Sequence, residues 1–345
     1  MFKRIGFISS AFLFEVADLL FLFALPVFLF SSTNSLIFTG LIFLLRPLGK
    51  LIGYTIYRKS LQEKNFVFLF LLAYTLSFIV LIVFNRLLGF YALVFAVFIL
   101  GMSKEFFDLG LFKVENPNTQ FKLGRYKKFL SPSLAFAGLS LSLFITKLVS
   151  TYQFQNLQNY FSILLSISGI LFYFFISKKF AMDKQERLIP KVYSLGFLNI
   201  YKINWTIFSA EAVKAFYWVL FPIFIIKNMG QDYSLVYLIP SLYFPILLLN
   251  ILKNTFLFKY WKIRPNSLFL VFTLTLLSFF FVPSSQFLIL PTVIMGFVIG
   301  FIEISSWYKE VKTEDYPIYF NSSNLGFITA LLIGSVFNTY IPIYY

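Results

Sequence analysis

Apolar residues run through this chain in blocks of about 20, each long enough to cross roughly 30 Å of hydrocarbon as a helix, with short polar turns between them. The blocks predict helices near 5–30, 35–57, 65–84, 88–112, 129–149, 158–178, 204–227, 232–253, 266–283, 286–308 and 318–343. The expected fold class is an all-α polytopic membrane protein of about eleven transmembrane helices. The longest polar stretch, 179–203, carries Lys179, Lys184, Arg187, Lys191 and Lys202, and it divides the helices six from five. We therefore expect an N-terminal six-helix bundle over 1–178, a cytoplasmic basic linker over 179–203, and a C-terminal bundle of about five helices over 204–345.

Composition closes off the soluble alternative. With 59% hydrophobic residues, a mean hydropathy of +0.82 and 12% charged residues, 345 residues hold too much apolar surface for water. Lys3 and Arg4 lead into the first apolar run without a small-residue cleavage site behind it, so that run is expected to stay as the first helix. Cysteine and histidine are both absent. Disulfides and thiolate metal sites are thereby excluded, no metal or cofactor is expected, and proton handling falls to carboxylates. A phosphate-cradling Gly-rich loop, an acidic cluster with metal-ligand spacing and a Ser-His-Asp arrangement are also missing, which argues against ATP-driven transport and against an enzyme.

The net charge of +15 reads as topology. Basic residues gather on alternate loops: Lys3 and Arg4; Arg58, Lys59 and Lys64; Lys122, Arg125, Lys127 and Lys128; the linker; Lys259, Lys262 and Arg264; Lys309 and Lys312. Those loops face the cytoplasm, which puts the N-terminus inside and Tyr345 on the periplasmic side. Anionic lipid headgroups are the expected partners of such dispersed charge, and nucleic acid is not, because no single basic stripe forms. Heavy use of Phe, Lys, Asn, Ile and Tyr points to an AT-rich bacterial genome, hence to the bacterial inner membrane. Two Asn-x-Ser/Thr motifs, Asn204-Trp205-Thr206 and Asn321-Ser322-Ser323, lie at inner helix ends and are read as coincidental.

The halves repeat. In the first helix Glu15, Asp18 and Pro26 fall at offsets of three and eleven; in the seventh Glu211, Lys214 and Pro222 repeat those offsets at a shift of 196. Gly101, Asp108 and Glu115 of the fourth helix match Gly296, Glu303 and Glu310 of the tenth at a shift of 195. Paired halves of this sort mark transporters. Charges inside hydrocarbon are costly, and here they sit on every third helix: Glu15 and Asp18 on the first, Lys104, Glu105 and Asp108 on the fourth, Glu211 and Lys214 on the seventh, Glu303 on the tenth. Spacings of three and four put Glu15 with Asp18, Lys104 with Asp108, and Glu211 with Lys214 on shared faces, and Trp218 joins the last. Asp18 lies roughly 20 Å along its helix from the inner surface, too deep to reach the headgroups. The competing readings are that these charges are ion pairs locking helices together and that Trp218 merely packs.

Arg46-Pro47-Leu48-Gly49, continuing through Gly53 to Arg58-Lys59, resembles the end of the second helix and the following gating loop of the major facilitator superfamily. Glu15 with Asp18, and Glu115 ahead of Gly124-Arg125, resemble the metabolite:proton symporter branch. Tyr57 and Ser60 stand where the family usually has Asp and Gly, and the family's twelve helices are here about eleven, as though the last were missing. The resemblance implies two halves of inverted three-helix units, alternating access about a midplane site, and a cavity lined by helices 1, 4, 7 and 10, the set that the charges mark.

The expected function is a monomeric secondary transporter that moves a small polar solute, a zwitterionic osmolyte or organic acid by the resemblance, with a proton or sodium ion. Its site is expected at Glu15, Asp18, Glu105, Asp108, Glu211, Lys214, Trp218 and Glu303, with Asp18 and Glu15 as proton carriers and Lys214 holding an anionic group or exchanging salt bridges. Arg46, Gly49, Gly53, Arg58, Lys59, Glu115 and Arg125 are expected to form the gate. The rival readings are a flippase for lipid or polyprenyl-glycan substrates, a non-transporting relative, and a membrane enzyme on lipid-linked substrates, the last disfavoured by short outer loops and missing histidine.

Overall fold

The structure, a computed structural model, describes residues 2–33, 35–61, 64, 66–86, 90–115, 154–180, 203–216, 219, 239–252, 289–308 and 316–340. Its helices are α1 (Phe2–Thr33), α2 (Leu36–Ile56), α3 (Phe66–Arg86), α4 (Phe90–Glu115), α5 (Phe154–Phe180), α6 (Trp205–Ala215), α7 (Ile239–Leu252), α8 (Ile289–Tyr308) and α9 (Tyr316–Tyr340), and a π-helical turn, Tyr57–Leu61, extends α2. The helices expected over 129–149 and 266–283, and linker residues 181–202, lie outside the described residues.

Caps and breakers set the ends. Ser35 accepts the Phe38 amide at 3.3 Å to open α2. Asn204 caps α6 by accepting the Ile207 amide at 3.3 Å, and its own amide donates to Ser322 Oγ at 2.8 Å. The two Asn-x-Ser/Thr motifs thus meet in one helix cap. Pro26, Pro47 and Pro245 lie inside α1, α2 and α7, positions that neighbouring helices in a membrane let the chain keep.

Polarity is turned inside out. On α2 the exposed stripe is Ile37, Leu41, Leu48, Ile52 and Ile56, whereas Arg46 is buried on the opposite side. On α5, Ile163, Ile167, Ile170, Tyr173 and Phe174 are exposed, while Ser168 is fully buried. Water does not tolerate apolar stripes of this extent on helix after helix, and lipid does. Ile37–Leu61 is, by length and composition, able to cross a membrane.

The described helices fall into two compact units. The first holds α1 as far as Phe21, α2 from Leu41, and α3, α4 and α5; the second holds the remainder of α1 and α2 with α6 to α9. In the first unit α3 packs on α4 and α5. There α2 and α4 cross backbone to backbone: a Cβ added at Gly49 would overlap the Phe98 carbonyl, and one at Gly101 would overlap the Arg46 carbonyl. In the second unit α6 packs on α9, and α8 packs on both α7 and α6.

The core of the first unit is aromatic. Phe14 of α1 stacks on Phe107 of α4 at 3.9 Å, and Phe70 of α3 meets Phe7, Phe107 and Phe172 at 5.4, 5.1 and 5.2 Å. A neutral polar knot sits among these rings. The Tyr74 hydroxyl lies 2.7 Å from Ser10 Oγ and 2.5 Å from Ser168 Oγ, and each serine donates to the other's backbone carbonyl, at 2.9 and 2.7 Å.

Candidate functional site

Charged side chains converge where α1, α2 and α4 meet in the first unit. Glu15 and Asp18 are one turn apart on α1, Arg46 and Lys50 one turn apart on α2, and Lys104 and Asp108 one turn apart on α4. Each helix thus offers a pair of charges, and the pairs interlock.

Lys104 Nζ donates to Glu15 Oε1 at 2.5 Å and to Asp108 Oδ1 at 2.6 Å, tying α4 to α1. Lys50 Nζ approaches the other oxygen of Asp108 at 3.7 Å and brings in α2. Deeper in, Arg46 Nη2 donates to Asp18 Oδ2 at 2.5 Å. Three cations and three carboxylates balance one another, as groups removed from water must. Lys104 Nζ also lies 5.5 Å from the centroid of Phe107, so the aromatic core backs the cluster.

Access is graded across the group. The side chains of Arg46 and Asp18 are 8% and 10% exposed, those of Lys104 and Glu15 12% and 14%, and those of Lys50 and Asp108 25% and 31%. The Lys50–Asp108 end is the open one. Arg46 Nη1 is buried and meets no acceptor among the described residues.

Of the residues expected at the site, Glu15, Asp18 and Asp108 are brought together. Glu105 is elsewhere: it is buried on α4, where its Cβ faces Gly53 of α2, and its charge acts on Tyr54. Glu211 is half-buried on α6 in the second unit; Lys214 follows on α6, and Glu303 is on α8. Trp218 lies outside the described residues. Of the gate residues, Arg46, Gly49 and Gly53 are within α2, Arg58 and Lys59 are in its π-helical extension, Glu115 ends α4, and Arg125 lies outside the described residues.

Sequence reasoning put Arg46 with the gate and passed over Lys50. A signal was present: the two are four residues apart, on the side of α2 opposite the apolar stripe. The loop resemblance drew attention to Arg46 as part of a motif instead of as an intramembrane charge.

No family model and no curated protein matches this sequence. Solved structures do match over nearly its full length. One is the nucleoside transporter NupG, with a TM-score of 0.71 at 14% identity, covering 99% of this chain and 92% of that one. Another is a bacterial homologue of the iron transporter ferroportin in an inward-facing state, with a TM-score of 0.60 at 12% identity and coverage of 99% and 92%. Both are transporters of the major facilitator fold, a multi-pass membrane architecture, and this chain has that fold in a widely diverged sequence.

Proposed function

We propose that the protein is a secondary active transporter of the bacterial inner membrane that carries a small polar solute by alternating access. One observation carries the reading. A charge-balanced cluster, closed at Arg46–Asp18 and open at Lys50–Asp108, is built into membrane-spanning helices of a transporter fold. A lock between helices does not need an open end, and a solute does.

The fold does not choose the cargo, since two of the solved structures that share it are named for a nucleoside transporter and for a homologue of an iron transporter. The cluster favours solutes that bring no uncompensated charge. A zwitterionic osmolyte meets that condition alone, and an organic acid meets it when a proton travels with it. Proton coupling is the energy source we favour over sodium. Asp18 and Glu15 are its carriers, each at the junction of α1 with a cationic partner. Glu211, Lys214, Trp218 and Glu303 are the second half's contribution, and the division at 179–203 separates the halves. In this reading the N-terminus is cytoplasmic, the C-terminus periplasmic, and the transporter acts as a monomer.

The test uses purified protein in liposomes loaded with a pH-sensitive dye and challenged with betaine, proline, succinate, uridine and glucose. Solute-dependent acidification by the wild type, lost in Asp18→Asn, is the expected result. A wild type that moves a solute while Asp18→Asn keeps the proton flux would remove Asp18 from the coupling path. Failure of correctly folded protein to move any solute would favour a flippase or a non-transporting relative.

A further inference from the structure

We propose that Arg46 is the solute-binding residue of the first half, and that its free Nη1 takes a carboxylate or carbonyl oxygen of the solute. This rests on the transporter reading for its setting. Its own support is the geometry of the guanidinium.

Three features fix that geometry. The backbone of Arg46 is pinned, because Gly101 lets α4 approach until its Cα position faces the Arg46 carbonyl with no room for a side chain. The guanidinium is held at its other end, because Asp18 accepts from Nη2 at 2.5 Å. The side chain is 8% exposed, and Nη1 is left with no acceptor among the described residues. A buried donor on a charged group is costly when unmade, so a donor held in that condition on two sides is a standing demand for an acceptor. Guanidinium is well shaped for the purpose, because its planar fork gives one arm to Asp18 and presents the second in a set direction. Lysine at this position would supply the charge without the second directed arm.

Asp18 then has a separable role toward the solute. It positions Arg46, and an asparagine carbonyl in its place still accepts from Nη2.

The experiment measures binding without transport, as the shift in thermal melting of detergent-purified protein titrated with betaine, proline, succinate or uridine, each bearing a carboxylate or carbonyl. Choline, in which a hydroxymethyl group replaces the carboxylate of betaine, is the control. At least one carboxylate- or carbonyl-bearing solute is expected to stabilise the wild type while choline does not. For that solute, Arg46→Lys is expected to weaken apparent affinity roughly tenfold or more. Arg46→Lys melting near the wild type without solute shows that the fold survives. Equal affinity in Arg46→Lys, or equal stabilisation by choline, would overturn the assignment. If Arg46→Lys does not fold, the comparison of betaine with choline on the wild type decides it. Liposome flux separates the two readings: binding through Arg46 without flux sinks the transporter and leaves this site standing, and flux of a solute that binds without Arg46 does the reverse.

Discussion

Two polar clusters sit on neighbouring faces of α1, and they are built on opposite terms. Ser10 joins Tyr74 and Ser168 in a neutral knot in which hydroxyls bond to one another and to backbone carbonyls among packed aromatic rings. One to two turns further along, Glu15 and Asp18 join Lys104, Asp108, Lys50 and Arg46 in a charged cluster with an open end and an unused donor. The neutral knot holds α1 to α3 and α5 and has nothing left to offer a ligand. The charged cluster joins α1 to α2 and α4 and keeps capacity in reserve. Burial of polar groups in a membrane protein therefore does not by itself mark function; in the reading proposed above, the unused donor of Arg46 is what sets the charged cluster apart.

Substitutions can break or sharpen that contrast. The largest effect is expected from Lys104→Met, which strands buried Glu15 and leaves Asp108 only its 3.7 Å pair with Lys50, and should cost about 3–5 kcal/mol of stability. Thermal melting in detergent reads this, and adding Glu15→Gln should recover part of the loss. A melt unchanged by Lys104→Met would mean that water already compensates those carboxylates. Tyr74→Phe should cost about 1 kcal/mol, because it removes one hydroxyl that Ser10 and Ser168 share while both serines keep their backbone acceptors. Solute flux per folded molecule should be unchanged; a flux defect would blur the division between the clusters. Lys50→Ala should cost less than about 1 kcal/mol, since its 3.7 Å pair with Asp108 is partly solvated. Its signature is expected in flux, through the open end of the cluster, rather than in melting.

The helices were legible because lipid imposes one length and tolerates no unpaired backbone. The run expected over 88–112 is α4 at Phe90–Glu115, and that over 158–178 is α5 at Phe154–Phe180. Charges placed by i,i+4 spacing on one helix were legible as well, and Lys104–Asp108 is made at 2.6 Å. Choice of partner between helices was not. Glu15 and Asp18 share a face of α1, yet one turns to α4 and the other to α2, because rotation and depth of the neighbouring helices decide the pairing. Spacing along one chain segment carries no information on that. Arg46 shows a second limit: a motif resemblance assigned it to a gate, and only its place opposite the apolar stripe of α2 reveals it as an interior charge.

The crossing at Gly49 and Gly101 bears on how much change a chain of this fold can absorb in its apolar residues. Where two helices touch through their backbones, the joint depends on hydrogen atoms in place of side chains, and nothing about the identity of surrounding residues enters it. Such a joint constrains two positions tightly and leaves its neighbourhood open to substitution. A lineage can then exchange most of its apolar residues for others of similar volume while the same two backbones go on meeting at the same place.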